Sequence, residues 1–340
     1  MNKVAVLGGG SFGTVIANIS ASQGMPTSLW MRSEKQLQDI LETGMNSRYV
    51  PKYRLHERLT PTNDLAAAVT AADLVFIAVP SKAFRIVLEQ AIAHMSPDAA
   101  MVSLTKGIEP DGFLLMSEIM AELAGGRATG VVSGPNLAKE IAQGQLAGTV
   151  VASRSEVLRN AVHDLLSNPK FRVYTNPDVY GVELAGALKN IYAIASGMAA
   201  ALGMGENARA LLLTRSLAEM SRFAVPLGAN PLTFIGLAGM GDLMVTCTSP
   251  LSRNYRVGEA LGQGYTLRQA VKQLGETAEG INTLRMVKLK ADSMGVSMPI
   301  VEALHAIIHE QHEVEHLANR LMLGERASDV EFIFDAEALP

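Results

Sequence analysis

Two stretches of this chain put residues where chemistry could use them. In "YGVELAGALKNIYAIASG" (180–197), helical spacing places Lys189 on one face with Val182, Ala185, Gly186, Tyr192, Ala193 and Ser196. That face is small and mainly apolar, so the lysine faces an interior or a cleft. Burial disfavours an ammonium and lowers its pKa, which lets an amine give and take a proton near neutral pH. The competing reading is a stem laid along the apolar face with its head in water. The second stretch, "VAVLGGGSFGTVIA" (4–17), carries Gly8, Gly10 and Gly13 as G-x-G-x-x-G between an apolar run and a helix-like segment. Glycines there permit a tight turn, a close backbone approach to a pyrophosphate and close helix packing, and the free amides opening the helix face the anion. An ordinary strand-to-helix turn is the plainer alternative.

A carboxylate about 20 residues beyond such glycines accepts hydrogen bonds from an NAD ribose. Here "SLWMRSEK" (28–35) offers Arg32, whose guanidinium suits a 2′-phosphate, with Glu34 close behind. The expected ligand is therefore NADP(H) or NAD(H). Further polar residues occur where apolar runs stop: Pro80-Ser81, Lys106-Gly107 and Gly134-Pro135-Asn136. Ligands of open parallel sheets bind outside the carboxyl ends of the strands, so these positions converge on one crevice. Downstream, "GLAGMGDLMVTCTSPLSRNYRVG" (236–258) joins a glycine-rich turn ending in Asp242 to Ser252, Arg253 and Asn254. Hydroxyl, guanidinium and amide groups can donate to a phosphate. A solvated polar loop with Ser252 as a helix cap fits the same residues, as a plain loop and helix start fits "ETAEGINT" (276–283).

The elements that must position these residues fall into two kinds. Apolar, β-branched runs recur at Val4–Leu7, Thr27–Met31, Leu74–Val79, Met101–Leu104, Val131–Val132, Thr149–Ala152 and Phe171–Tyr174. Helix-like segments lie between several of them, at Thr14–Ser22, Ser33–Glu42 and Phe113–Leu123. Near-continuous apolar strands alternating with helices predict a doubly wound α/β domain with a parallel sheet covered on both faces. Beyond "YTNPDVYG" (174–181) the strand signals fade, and helices are expected at Asp178–Leu202, Ala208–Val225, Leu267–Leu274, Thr283–Met294 and Ile300–Leu323. The expected division is 1–176 for the nucleotide domain and 177–340 for an all-α domain, with Asp178 capping the first helix.

Composition narrows the function classes. The 340 residues exceed one ordinary domain, and 48% hydrophobic with 18% charged residues is globular composition. A net charge of −4 gives no drive toward nucleic acid or an anionic membrane. Cys247 is the only cysteine, which excludes an internal disulfide and a cysteine-based zinc site and fits a reducing compartment. The apolar stretch Ile191–Leu202 is interrupted by Ser196 and Gly197 and is shorter than the roughly 20 residues of a membrane span. With no secretory pattern in the opening residues, cytoplasm is the expectation.

In order, "GGGSFGT", "SLTKGIE", "SGPNLAKE", "ELAGALKNIYAIASG", "GLAGMGDLMVTCTS", "SRNYRVG" and "AEGINT" resemble the motifs of bacterial-type NAD(P)-dependent glycerol-3-phosphate dehydrogenases, from residue 4 to about 285. The resemblance implies a Rossmann domain joined to a helical substrate domain, and reversible reduction of dihydroxyacetone phosphate to sn-glycerol 3-phosphate for phospholipid synthesis. It implies Lys189 as general acid/base, and substrate contacts from Lys106, Gly134, Asn136, Asp242, Ser252, Arg253 and Asn254. It further implies cofactor contacts, beyond Gly8, Gly10 and Gly13, from Ser11, Phe12, Arg32, Lys106, Ala138, Arg253 and Glu279. It implies a homodimer and no metal. Two positions depart from the family: Asn136 stands where Ser or Thr is usual, and Phe12 where Trp or Tyr is frequent.

The rival enzyme reading is a Rossmann-plus-helical dehydrogenase of 3-hydroxy acids, in which a lysine–asparagine pair also serves; the polar 252–254 segment argues for a phosphate instead. A non-catalytic NADPH sensor is the rival from another class. One pattern stands outside the resemblance. His305, His309, His312 and His316 recur at helical spacing beside glutamates and read as a hydrated face, with i,i+4 metal chelation as the alternative.

Overall fold

The computed structural model describes residues 1–110, 112–274, 279–310 and 312. Its first half alternates β1 (Val4–Leu7), α1 (Ser11–Ser22), β2 (Thr27–Trp30), α2 (Glu34–Thr43), β3 (Leu59–Thr62), α3 (Leu65–Val69), β4 (Leu74–Ile77), α4 (Ser81–Ile92), β5 (Ala100–Ser103), α5 (Met116–Leu123), β6 (Thr129–Ser133), α6 (Ala138–Ala142), β7 (Ala147–Ser153), α7 (Glu156–Leu166) and β8 (Phe171–Asn176). The strands form one eight-stranded sheet in the order β3-β2-β1-β4-β5-β6-β7-β8. Both faces are covered. Along β1, Val4 and Val6 enter the apolar cluster on one face while Ala5 and Leu7 enter that on the other. This is the Rossmann-type architecture that the alternating pattern predicts.

The sheet is not wholly parallel: β7 runs antiparallel to β6, with Val132 opposite Val151, and β8 then runs parallel to β7. Burial pattern does not reveal direction, since a strand covered on both faces looks alike either way. β3 was not expected, because Pro61 interrupts its sequence. Its place at the sheet edge, paired with β2 alone, leaves the missing N–H no ladder partner to lose. α5 begins three residues later than the pattern suggests, after Gly112 and Phe113 both take positive φ.

The second half is helical: α8 (Val179–Ala201), α9 (Glu206–Ala224), α10 (Pro231–Ile235), α11 (Asp242–Thr248), α12 (Arg253–Gly262), α13 (Leu267–Leu274), α14 (Glu279–Met294) and α15 (Pro299–Glu310). Asp178 caps α8 by accepting from the Gly181 amide at 2.9 Å. α8 is buried on nearly every face and is the axis on which the helical half is built. α12 lies unusually close to it. A Cβ on Gly197 would fall 2.0 Å from the Tyr255 carbonyl oxygen, and one on Gly258 only 1.8 Å from that of Ile194. Ser252 is a helix cap, as one reading of its segment expects, and Arg253 and Asn254 form the first turn of α12 where a loop is the expectation. Among the described residues no helix is long and apolar enough to cross a membrane.

Candidate active site

The strand order reverses between β1 and β4, and the glycine loop sits at the carboxyl ends of these two strands. Gly8 has φ +125°, and a Cβ there would lie 2.5 Å from the Ala78 carbonyl oxygen. A Cβ on Gly13 would lie 2.1 Å from the Gly8 oxygen, so α1 can approach the loop only without a side chain. Gly10, by contrast, faces open space, and no side chain caps the amides that open α1. A packed back, an open front and free helix amides suit the pyrophosphate of a dinucleotide. Arg32 is exposed just beyond β2. Glu34 is engaged by Asn63 and by Gln38, the latter at 2.8 Å. The Ser11 hydroxyl donates to the Tyr49 carbonyl at 3.2 Å, and Phe12 and Ala138 pack partly against the sheet core.

Along the same carboxyl edge of the sheet, after β5 and β6, three charged groups meet. Lys106, in the loop after β5, donates from Nζ to Asp242 Oδ2 and to the Gly134 carbonyl, both at 2.7 Å. Lys189, on α8, donates to Asp242 Oδ1 and at 2.6 Å to Thr246 Oγ1. Lys189 and Asp242 are 6% and 1% exposed, so the apolar helix face does bury this lysine, and its head is held by a carboxylate instead of water. Burial pulls Lys106 down to about 8; Asp242 resists that shift and Lys189 adds to it. Gly186 brings α8 against the end of β6, where a Cβ would lie 2.4 Å from Ser133 Oγ. A single π-helical turn, Leu237–Gly241, leads into α11 and delivers Asp242 to both amines.

The remaining predicted residues divide. Asn254 donates to Asn190 Oδ1 at 2.9 Å and accepts from the Gly280 amide at 3.1 Å, and Asn190 donates to the Lys106 carbonyl at 3.3 Å. This amide ladder ties α12, α14 and α8 to the loop that carries Lys106. Ser252 is the N-cap of α12, accepting from the Tyr255 amide at 3.3 Å, while Arg253 is exposed at the first position of that helix. Asn136 donates to Thr149 Oγ1 at 2.9 Å, and its buried Oδ1 has no protein partner. Glu279 accepts from the Ser81 amide at 3.1 Å and from its hydroxyl at 2.5 Å, docking the helical half onto the start of α4.

Family models for the N-terminus and C-terminus of NAD-dependent glycerol-3-phosphate dehydrogenase match residues 3–158 and 178–319. The chain belongs to this dehydrogenase family. It is 54% identical over 331 residues to a glycerol-3-phosphate dehydrogenase [NAD(P)+] of Alcanivorax borkumensis, covering 97% of this chain and 96% of the relative. A similarly named protein of Saccharophagus degradans is 52% identical over 328 residues, covering 96% and 92%. Among solved structures, glycerol-3-phosphate dehydrogenase from Coxiella burnetii matches with a TM-score of 0.91 at 35% identity, covering 95% of this chain and 99% of that one.

Within this dehydrogenase fold, sequence reasoning missed Thr246 and noted Asn190 only as the partner that follows Lys189, although signals for both were present. Thr246 lies four residues after Asp242 and therefore on the same helix face, and Asn190 follows Lys189 directly. Of the histidine stripe, His305 and His309 lie on α15 and His312 follows its end. The His305 and His309 rings meet at a 44° tilt with centroids 4.7 Å apart, and burial, more than the neighbouring His305 and Arg285 charges, lowers the His309 pKa. His316 lies outside the described residues. Among those described, no three His, Cys, Asp or Glu side chains group as metal ligands would.

Proposed function

We propose that this protein reversibly reduces dihydroxyacetone phosphate to sn-glycerol 3-phosphate with NADPH or NADH, supplying the backbone for glycerophospholipids. The observation that carries this reading is the pair of lysines held on one buried carboxylate beside an open glycine cradle. With both amines protonated, two ammoniums against one carboxylate leave an uncompensated positive charge in a site shielded from water. Such a site favours an oxygen that gains negative charge during reaction.

When bound, the nicotinamide supplies the hydride that reduces the C2 carbonyl. Lys189 gives its proton to the carbonyl oxygen as charge develops there, and accepts it again in the reverse direction. Asp242 and Thr246 aim that amine, and Lys106 contributes the second positive charge next to the Gly134 carbonyl. Asn136, whose buried oxygen is open to a donor, meets a substrate hydroxyl. Ser252, Arg253 and Asn254 present the start of α12 to the phosphate, where remote binding energy orients the reacting carbonyl. Gly8, Gly10, Ser11, Phe12, Gly13 and Ala138 line the dinucleotide site; Lys106, Arg253 and Glu279 border it. Arg32 meets a 2′-phosphate.

The reading divides the chain into a nucleotide domain, 1–176, and a catalytic helical domain, 177–340. It takes the working form to be a cytoplasmic homodimer acting on small phosphates. The test is loss of the near-ultraviolet absorbance of NADPH when pure protein is mixed with dihydroxyacetone phosphate. Reduction of that substrate, with none of a panel of 3-oxo acids, is expected. Coenzyme binding without turnover of any substrate would overturn the assignment in favour of a sensor.

A further inference from the structure

Asn46 lies outside every motif considered above, between α2 and β3, yet it is wholly buried. Its Nδ2 donates to the Gly9 carbonyl at 2.9 Å and to Thr14 Oγ1 at 2.8 Å. Gln36, on α2, donates to the same Gly9 carbonyl and, at 3.3 Å, to Asn46 Oδ1. Two side-chain amides thus converge on one carbonyl in the middle of the glycine loop. Asn46 is itself held fast. Its own carbonyl accepts from the amides of Tyr49 and Val50 at 3.1 and 2.9 Å, and the Ser47 amide donates to Asp39 on α2 at 3.1 Å.

A trans peptide points its C=O and the following N–H in opposite directions. Clamping the Gly9 carbonyl toward α2 therefore turns the Gly10 amide the other way. The two sides of the loop differ accordingly: a Cβ on Gly9 would lie 2.8 Å from Gln36 Nε2 and 2.9 Å from Met31 Cβ, whereas one on Gly10 meets nothing. The loop is backed by protein behind Gly9 and open in front of Gly10.

We propose that Asn46, seconded by Gln36, is the positioning residue that fixes the Gly9–Gly10 peptide with its amide toward the crevice, and so sets affinity for the pyrophosphate of the dinucleotide. Glycine here makes the clamp necessary as well as possible, because an unrestrained glycine peptide readily flips. A flip would aim a carbonyl oxygen at the anion. The inference rests on the dinucleotide reading of the glycine loop and adds the device that orients it.

The test compares Asn46→Ala, Asn46→Asp and Gln36→Ala with the wild-type protein by calorimetry, using NADPH, ADP-ribose and adenosine 2′-monophosphate. Losing one donor at a buried carbonyl should weaken NADPH and ADP-ribose binding at least about fivefold. Asn46→Asp, which sets a carboxylate against that carbonyl, should be worse than Asn46→Ala. Binding of adenosine 2′-monophosphate, which lacks a pyrophosphate, should not change, nor should kcat at saturating coenzyme. Because both amides act on one carbonyl, the loss in the double variant should differ from the sum of the single losses. Gln36 is only half-buried, so Gln36→Ala carries the test even where Asn46→Ala does not fold. Unchanged ADP-ribose affinity in the variants, or an equal loss for adenosine 2′-monophosphate, would overturn the proposal. A wild-type protein that binds none of the three ligands would overturn the dinucleotide reading itself.

Discussion

Lys106 and Lys189 hold opposite oxygens of the same carboxylate: Lys106 Nζ lies 2.7 Å from Asp242 Oδ2, and Lys189 bonds Oδ1. One lysine comes from the sheet half and the other from α8, while Asp242 opens α11. The contact that assembles the proposed acid/base group is therefore also one that joins the two halves of the fold. Leaving any one of these three charges buried without its partners would be costly.

Lys189→Ala removes the proposed proton donor. Turnover should fall at least about 100-fold, the lower range for losing a general acid, while NADPH binding persists because the cradle is built by other elements. Steady-state kinetics paired with a coenzyme titration separates the two effects, and near-normal turnover would assign the proton to another group.

Burial brings Lys106 to about 8, so its positive charge fades as pH rises through that value. Reduction should lose kcat/KM on the alkaline side accordingly. Arginine stays protonated there, so Lys106→Arg, whatever its absolute rate, should move the descending limb to higher pH. A limb in the same place in both proteins would show that Lys106 does not set it.

Two buried carboxyls make stability depend on pH. Glu183 accepts from the Ser117 amide at 3.0 Å and is pushed up to about 7 by burial. Glu219, which accepts from the amides of Ile300 and Val301 at 3.0 Å, is also raised to about 7, again by burial. Between the ordinary 4.5 and about 7 the folded protein keeps a proton that the unfolded chain has released, so stability falls as pH rises through this window. Glu219→Gln should therefore compare more favourably with the wild type at about pH 8 than at about pH 5. Denaturant melts at both values measure this, and a pH-independent difference would contradict it.

Gly258→Ala tests the close approach of α12 to α8. In an exposed helix this change stabilises by up to about 1 kcal/mol, but here the new methyl would fall 1.8 Å from the Ile194 carbonyl oxygen. Overpacking of that kind costs about 1–3 kcal/mol, so the sign reverses and Tm should drop. Substrate KM should rise as well, since α12 carries Arg253 and Asn254. A variant as stable as the parent would mean the helices separate freely.

How far the sequence could be read depended on whether the signal was local. The glycine loop, the strand–helix alternation, the Asp178 cap and the face of α8 that buries Lys189 are consequences of backbone geometry and spacing within a few residues, and all were legible. The antiparallel turn of β7 and the edge position of β3 were not, because pairing direction and sheet order leave no mark on a segment's own periodicity. The same limit applied to the site. Its residue types were visible singly, but Asp242 became the bridge between two lysines, Glu279 the dock for α4 and Asn46 the brace of the glycine loop only when distant segments packed. Polar groups whose partners lie on distant segments have no spacing rule to announce them. Those partners are chosen by which donors and acceptors must be satisfied once the core closes around them.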